Sequence, residues 1–268
     1  MKIIKNIFEL NKAINNYKNI GFVPTMGGIH KGHASLIKIS QKKNEKTIVS
    51  IFINPTQFNE KKDFEKYPRN IKKDISILKK LKVSYLFLPK VEEIYKKKMK
   101  NFTLNKSDKI LCAKYRKGHF EGVLDVMNRL LSVIKSKYVF LGEKDYQQVF
   151  LIKKFIKKKF KTKVVMCKTI RDKNLLPYSS RNFLLKKNDL LKASNVSKKI
   201  KKFMYQVKKN FINKNKLNSI KNELFKIGVN VEYLEIRNKN NLTKKINRKN
   251  FKIFIAYYIK KIRLIDNF

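Results

Sequence analysis

The chain has 268 residues, with 66 Lys and Arg against 19 Asp and Glu, giving a formal charge of +47 and a sequence pI near 10.2. That length suits one or two domains with a sizeable core, and a hydrophobic content of 43% excludes a disordered chain. The charge raises the question of a polyanionic partner, which only its distribution along the chain can answer.

Apolar runs bounded by turn signals predict strands over 20–23, 48–53, 85–88, 138–141 and 164–167. Segments of helical period fall between them, over 34–43, 71–81, 123–134 and 147–158. Strand and helix in regular alternation imply right-handed crossovers and a parallel sheet covered on both faces. After Leu185 the texture changes to a Lys- and Asn-rich helical stretch reaching residue 227, followed by β-like runs at 231–236, 251–258 and 263–265. The expected fold is α/β: a Rossmann-like parallel-sheet nucleotide-binding domain over 1–178 and a smaller C-terminal α+β domain over 179–268.

The positive charge is spread along the whole chain. Its longest runs, Lys96 to Lys98 and Lys157 to Lys159, are shorter than the blocks of about five or six that mark interaction tails. Abundant Asn, Ile, Phe and Tyr beside the Lys, with no Trp, fit a coding bias acting on the solvated surface. No specific nucleic-acid partner is expected. The apolar run at 253–259 is far short of the roughly 18 residues that cross a bilayer, and residues 1–18 lack an apolar signal core, so a cytoplasmic protein without a membrane partner is expected. Cys112 and Cys167 have no second Cys or His at zinc-site spacing and read as small buried hydrophobes.

All three histidines, His30, His33 and His119, and seven of the eight glycines fall in a few short segments. The first, Gly21-Phe-Val-Pro-Thr-Met-Gly-Gly-Ile-His-Lys-Gly-His33, follows directly on the first predicted strand. A glycine turn between a strand's carboxyl end and a helix lets backbone N–H groups and the helix dipole approach phosphates. Histidines three apart share a face of that helix, where both imidazoles can reach the same phosphate oxygens and stabilise charge developing at phosphorus. An isolated His-x-x-His reads better as a helix cap beside a packed histidine; the strand, glycine turn and helix around it favour the phosphate site.

Pro24-Thr-Met-Gly-Gly-Ile-His-Lys-Gly-His33 resembles the His-x-Gly-His signature of the nucleotidyltransferase superfamily, in the form found in the pantothenate synthetase (pantoate–β-alanine ligase) family. Further segments resemble that family in order: Ser50-Ile-Phe-Ile-Asn-Pro-Thr-Gln-Phe58, Tyr67-Pro-Arg69, Gly118-His-Phe-Glu-Gly-Val123, Gly142-Glu-Lys-Asp-Tyr-Gln-Gln148, Ser179-Ser-Arg-Asn182 and Arg263-Leu-Ile-Asp-Asn267. The resemblance implies that (R)-pantoate attacks the α-phosphorus of ATP to give pantoyl adenylate and pyrophosphate, and that β-alanine then displaces AMP to form pantothenate. Mg2+ accompanies ATP, and no protein metal site is expected; Asp74 lies where magnesium ligands are placed in some family members, beside Lys73, which cannot ligate. A homodimer formed through the larger domain is also implied.

Carried over position by position, the resemblance assigns ATP contacts to Met26, Gly27, Gly28, Ile29, His30, Lys31, Gly32 and His33. It adds Gly142, Glu143, Lys144 and Asp145, then Ile170 near the adenine and Tyr178, Ser179, Ser180 and Arg181. The catalytic assignments are His33, at the family's proton-donor position and read as a charge stabiliser on phosphate, with His30, Lys144 and Arg181; Gln57 and Gln148 match pantoate-binding positions. Neutral amides there bond hydroxyls and carboxylate without an ion pair that would blunt the nucleophile. Arg116 and His119 are second choices for the same cavity. Lys31 and Tyr178 depart from the family pattern; the first is expected to face solvent and the second to alter packing beside the nucleotide. Two other readings compete: another adenylyltransferase on the same scaffold, disfavoured by Gln57 and Gln148, and a basic nucleic-acid-binding protein, disfavoured by dispersed lysines.

Overall fold

The computed structural model describes residues 1–96, 102–210 and 214–268, which divide into two compact units, Met1–Thr169 and Ile170–Phe268. In the first unit the strands are β1 (Lys2–Ile4), β2 (Ile20–Thr25), β3 (Lys46–Ile51), β4 (Tyr85–Phe87), β5 (Tyr138–Gly142) and β6 (Lys163–Cys167). Its helices are α1 (Ile7–Ile14), α2 (Lys31–Lys43), α3 (Lys61–Glu65), α4 (Ile71–Lys80), α5 (Val91–Tyr95), α6 (Cys112–Tyr115), α7 (His119–Ile134) and α8 (Tyr146–Lys159). The sheet order is β1-β4-β3-β2-β5-β6, and each of its ladders is parallel.

The chain leaves β2 toward β3 and β4 and later returns to place β5 on the other flank of β2, so the strand order reverses between β2 and β5. In an open parallel sheet the crevice at the carboxyl ends of two such strands is the natural ligand site. β2 and β3 are almost wholly buried because a parallel sheet is covered on both faces, which explains their continuous apolar runs. Val23, Val49, Ile51, Leu86 and Phe140 of the strands pack with Leu36 and Ile37 of α2 and Leu78 of α4.

Two helices start several residues earlier than their apolar periods suggest. α2 begins at Lys31 because His30 caps it, and α7 begins at His119 because Gly118, at φ +79°, turns the chain into it. β1 is an additional strand, pairing Lys2–Ile4 with Tyr85–Phe87.

The second unit contains α9 (Lys187–Asn210), α10 (Lys214–Lys226) and an antiparallel sheet of β7 (Val229–Asn238), β8 (Phe251–Ile259) and β9 (Ile262–Asn267), in that order. Val196, Ile200 and Phe203 of α9 and Leu224 of α10 pack on Ile253, Ile255 and Tyr257 of β8. The division after Thr169 falls nine residues ahead of 178/179. Arg171 accounts for this: its guanidinium makes two 2.7 Å bonds to the buried carboxylate of Asp266 on β9, tying 170–177 to the second unit.

Candidate active site

The turn between β2 and α2 is shaped from within. Thr25 Oγ1 donates to the carbonyl of Ser50 at 2.7 Å and accepts the N–H of Gly27 at 3.2 Å. Gly28 and Ile29 donate their N–H groups to the two oxygens of Asp74 at 2.9 and 2.8 Å. Gly27 and Gly28 have φ of +82° and +61°, and a Cβ on Gly27 would lie 3.0 Å from Asp74 Oδ2 and 3.3 Å from Ile51 Cγ2. Glycine is therefore needed here for backbone sign and for space. The N–H groups of Gly27, Gly28, Ile29 and Gly32 are all engaged inside the protein, so the expectation that the glycine turn presents them to phosphate is corrected: the turn aims side chains instead.

His30 caps α2. Its Nδ1 accepts the N–H of Gly32 at 3.1 Å, which leaves the proton of the neutral ring on Nε2. Its ring stacks on His33 with centroids 4.0 Å apart and planes 24° from parallel. Burial, then the neighbouring His33 and the positive Lys144, push the His30 pKa down to about 2. For His33, burial outweighs the attraction of Asp145, and with Lys144 nearby the pKa falls to about 4. Both rings are neutral at pH 7. They act as hydrogen-bonding groups, and the positive charge beside them comes from Lys144. His33 Nδ1 is buried with no hydrogen-bond partner, a costly arrangement that is retained where a polar atom has a task.

Lys144 and Asp145 lie on the short turn Glu143–Asp145, between β5 and α8, on the strand flanking β2. Lys144 Nζ is 3.0 Å from Asp145 Oδ1. A Cβ placed on Gly142 would meet nothing within 4 Å, so open space lies along that backbone. Lys31 is exposed, as its sequence context suggests.

Gln57 ends a short 3-10 turn after β3, the other neighbour of β2, and is 8% exposed. Its Oε1 accepts from Asn54 at 3.2 Å, and its Nε2 lies 2.8 Å from Sδ of Met26, joining this turn to the glycine turn. His119 Nδ1 donates to the Gln57 carbonyl at 2.7 Å, and Arg116 donates to His119 Nε2 at 3.0 Å. His119 thus holds the Gln57 main chain. Gly122 brings α7 against the same turn: a Cβ there would lie 2.4 Å from the Thr56 carbonyl oxygen. Of the adjacent glutamines, Gln147 is buried and donates to the carbonyls of Asp108 and Ile110, whereas Gln148 is half-buried.

Sequence reasoning passed over Asn54 and left Asp74 without a role. Asn54, 1% exposed, donates to Gln57 and to the Gly122 carbonyl and accepts from Thr56 and Tyr95. Its place before a proline at a strand's end was the available signal. Asp74, 2% exposed, has both oxygens on backbone N–H groups. No three His, Cys, Asp or Glu side chains among the described residues converge as metal ligands.

Ile170, Tyr178, Ser179, Ser180 and Arg181 belong to the second unit. Within it, Arg171 and Pro177 form an antiparallel bridge and the Tyr178 N–H reaches the Ile170 carbonyl at 3.1 Å, bringing those two assigned residues together. Ser179 caps a 3-10 turn over Ser180–Leu184, accepting from the Arg181 N–H, and not the helix that starts at Lys187. The Arg181 guanidinium reaches the Arg263 carbonyl at 3.4 Å.

A histidine pair beyond the carboxyl end of one parallel strand, with a lysine on the turn that follows the neighbouring strand, at the point where strand order reverses, is an arrangement suited to an α/β nucleotide-binding enzyme. The family model described as pantoate-beta-alanine ligase matches residues 2–268. A protein of Francisella philomiragia named pantothenate synthetase is 41% identical over 274 residues, covering 100% of this chain and 97% of the relative. A crystal structure of pantoate-beta-alanine ligase from Francisella tularensis, described as complexed with beta-gamma ATP and beta-alanine, is 39% identical. It superposes with a TM-score of 0.85 over 100% of this chain and 97% of its own. Pantothenate synthetase of Thermus thermophilus is 28% identical with a TM-score of 0.89, over 100% and 99% of the two chains. The chain belongs to the pantoate–β-alanine ligase family, and it is an enzyme, a ligase of pantothenate biosynthesis. No helix among the described residues is long and apolar enough to cross a membrane.

Proposed function

We propose that this enzyme joins (R)-pantoate to β-alanine in two steps at the crevice beside β2. In the first, a pantoate carboxylate oxygen attacks the α-phosphorus of ATP and pyrophosphate leaves. In the second, the β-alanine amine attacks the acyl carbon, AMP leaves, and the amine gives up a proton as the amide forms. Adenylation converts a carboxylate oxygen, a poor leaving group, into a good one.

The observation that carries this reading is the stacked His30–His33 pair facing the positive Lys144. Neutral imidazoles donate hydrogen bonds to phosphate oxygens without the repulsion that two adjacent imidazoliums would suffer, while Lys144 supplies charge against the leaving pyrophosphate. Gln57 and Gln148 take pantoate, with Gln57 held by Asn54 and His119. Magnesium travels on the triphosphate, and no step is assigned to it. Family resemblance also implies ATP contacts at Ile170 and at Tyr178 to Arg181, and a cytoplasmic homodimer.

A coupled assay with pantoate, β-alanine and ATP, omitting each in turn, tests the reading. Pantothenate and AMP should form in equal amounts only with all three present, and pantoate with ATP alone should release a single turnover of pyrophosphate. His33→Ala and Lys144→Ala should each lower kcat by about two orders of magnitude or more, as loss of a charge-stabilising donor does; full activity of His33→Ala rejects the site. Arg181→Ala tests the second unit's assignment through the KM for ATP, and sedimentation at micromolar concentration tests the dimer.

A further inference from the structure

Asp74 is a buried carboxylate that the proposed chemistry does not use. It lies in the first turn of α4, and the preceding motif fixes where that turn starts. Arg69 donates to the Phe64 carbonyl at 2.6 Å and lies over the Phe64 ring at 4.6 Å, while Phe58 packs edge-on against both Phe64 and Tyr67. Asn70 then caps α4, accepting from the Lys73 N–H at 3.0 Å, and its carbonyl receives the Asp74 N–H at 2.9 Å. The cap at Asn70, just after Tyr67-Pro68-Arg69, thus starts the turn from which Asp74 reaches the glycine turn 46 residues earlier in the chain.

Both carboxylate oxygens meet backbone N–H groups of consecutive residues, Gly28 and Ile29, one bond each. Gly27 meanwhile packs its α-carbon face against the same oxygen that Gly28 reaches. Charge-assisted bonds of this kind to main chain are about twice as strong as neutral ones. Here they hold three residues at conformations, two of them at positive φ, that a free turn would leave in favour of others. The turn ends at His30, so its path decides where the two imidazoles stand.

We propose that Asp74 is a positioning residue: it clamps the Gly28–Ile29 main chain, and so sets the placement of His30 and His33 on the triphosphate, without touching nucleotide or metal. This rests on reading the turn over residues 26–33 as the nucleotide site. Asp74→Asn keeps size and shape, but its amide turns an N–H toward one of the two main-chain donors. Gly27→Ala presses on the same clamp from the opposite side without changing Asp74.

Steady-state kinetics of both variants, with purified full-length enzyme, should show the KM for ATP raised about tenfold, near the loss of one charge-assisted bond. The KM for pantoate and for β-alanine should stay within about twofold, and the Mg2+ activation midpoint at saturating ATP should not move. The double variant should be no worse than the poorer single one, because both act through one geometry. A shifted Mg2+ midpoint in Asp74→Asn alone, additive effects on ATP, or an unchanged KM for ATP in both variants each overturns the clamp. If Asp74→Asn does not fold, Gly27→Ala decides by the same ATP-against-pantoate split. His33→Ala run in parallel separates the two levels: an unaltered His33→Ala enzyme rejects the site itself, whereas an impaired His33→Ala beside normal clamp variants rejects only the role of Asp74.

Discussion

His119 donates its Nδ1 proton to the carbonyl oxygen of Gln57 across 2.7 Å, while Arg116 fills the acceptor site on the other ring nitrogen. These two bonds allow only the neutral ring protonated at Nδ1, so the histidine is fixed in tautomer and orientation. It holds the main chain of the residue whose side chain is assigned to pantoate.

His119→Ala should therefore raise the KM for pantoate about tenfold, the cost of leaving a buried carbonyl partly unsatisfied. The KM for ATP should change less than about twofold. His119→Asn, whose amide can donate to the same carbonyl, should recover part of the loss. Equal effects on both substrates would show that His119 only supports the fold.

The pH dependence follows from the two stacked histidines. Their folded pKa values, about 4 for His33 and about 2 for His30, lie below the ordinary 6.5 that the unfolded chain restores. Between these limits the unfolded state binds more protons, so stability rises with pH. The contribution is complete above about pH 6.5 and is lost as pH falls toward 4 for His33 and on toward 2 for His30. Urea unfolding at stepped pH should show this slope, and His33→Gln should make it shallower. Imidazole NMR titrations with midpoints near the ordinary 6.5 would falsify the neutral pair.

Gly142 has φ −78° and ψ 132°, a conformation open to any residue, and no atom stands within 4 Å of an added Cβ. Gly142→Ala should fold with undiminished thermal stability. The methyl group would occupy space assigned to the nucleotide, so the KM for ATP should rise about tenfold, equivalent to roughly 1.4 kcal/mol. An unchanged KM places the nucleotide elsewhere.

A charge of +47 on 268 residues makes self-repulsion a destabilising force. Screening lengths fall from about 30 Å at 0.01 M salt to about 8 Å at 0.15 M. The thermal midpoint should rise by several degrees over that range in sodium chloride. A flat or falling midpoint means that the acidic residues already compensate locally, as Glu232 does for Arg263 and Asp189 for Lys260.

What the sequence made legible was local. β2, β3 and β5 announce themselves as buried apolar runs, and the first histidine pair stands out because histidine and glycine are scarce in this chain. β1 did not, since three residues carry no period and pair only with a strand more than eighty residues away. The same distance hid the supports of the site. Asp74 reaches back to Gly28, His119 to Gln57, and Asn54 forward to Gly122, each across 46 residues or more. No spacing rule registers such contacts, because the fold alone brings the partners together. The glycine turn was recognisable as a phosphate-type turn, but that its amides are already occupied depends on Asp74, from another helix.

The cap formed by His30 on Gly32 gives the enzyme a built-in gauge. One imidazole closes the first turn of α2 with Nδ1 and bears its proton on the opposite nitrogen, so any movement of that ring toward a phosphate loosens or tightens a single identifiable amide. On the proposed placement of the nucleotide against His30, the deuterium exchange rate at Gly32 should change with nucleotide concentration, a readout that needs no label and no turnover.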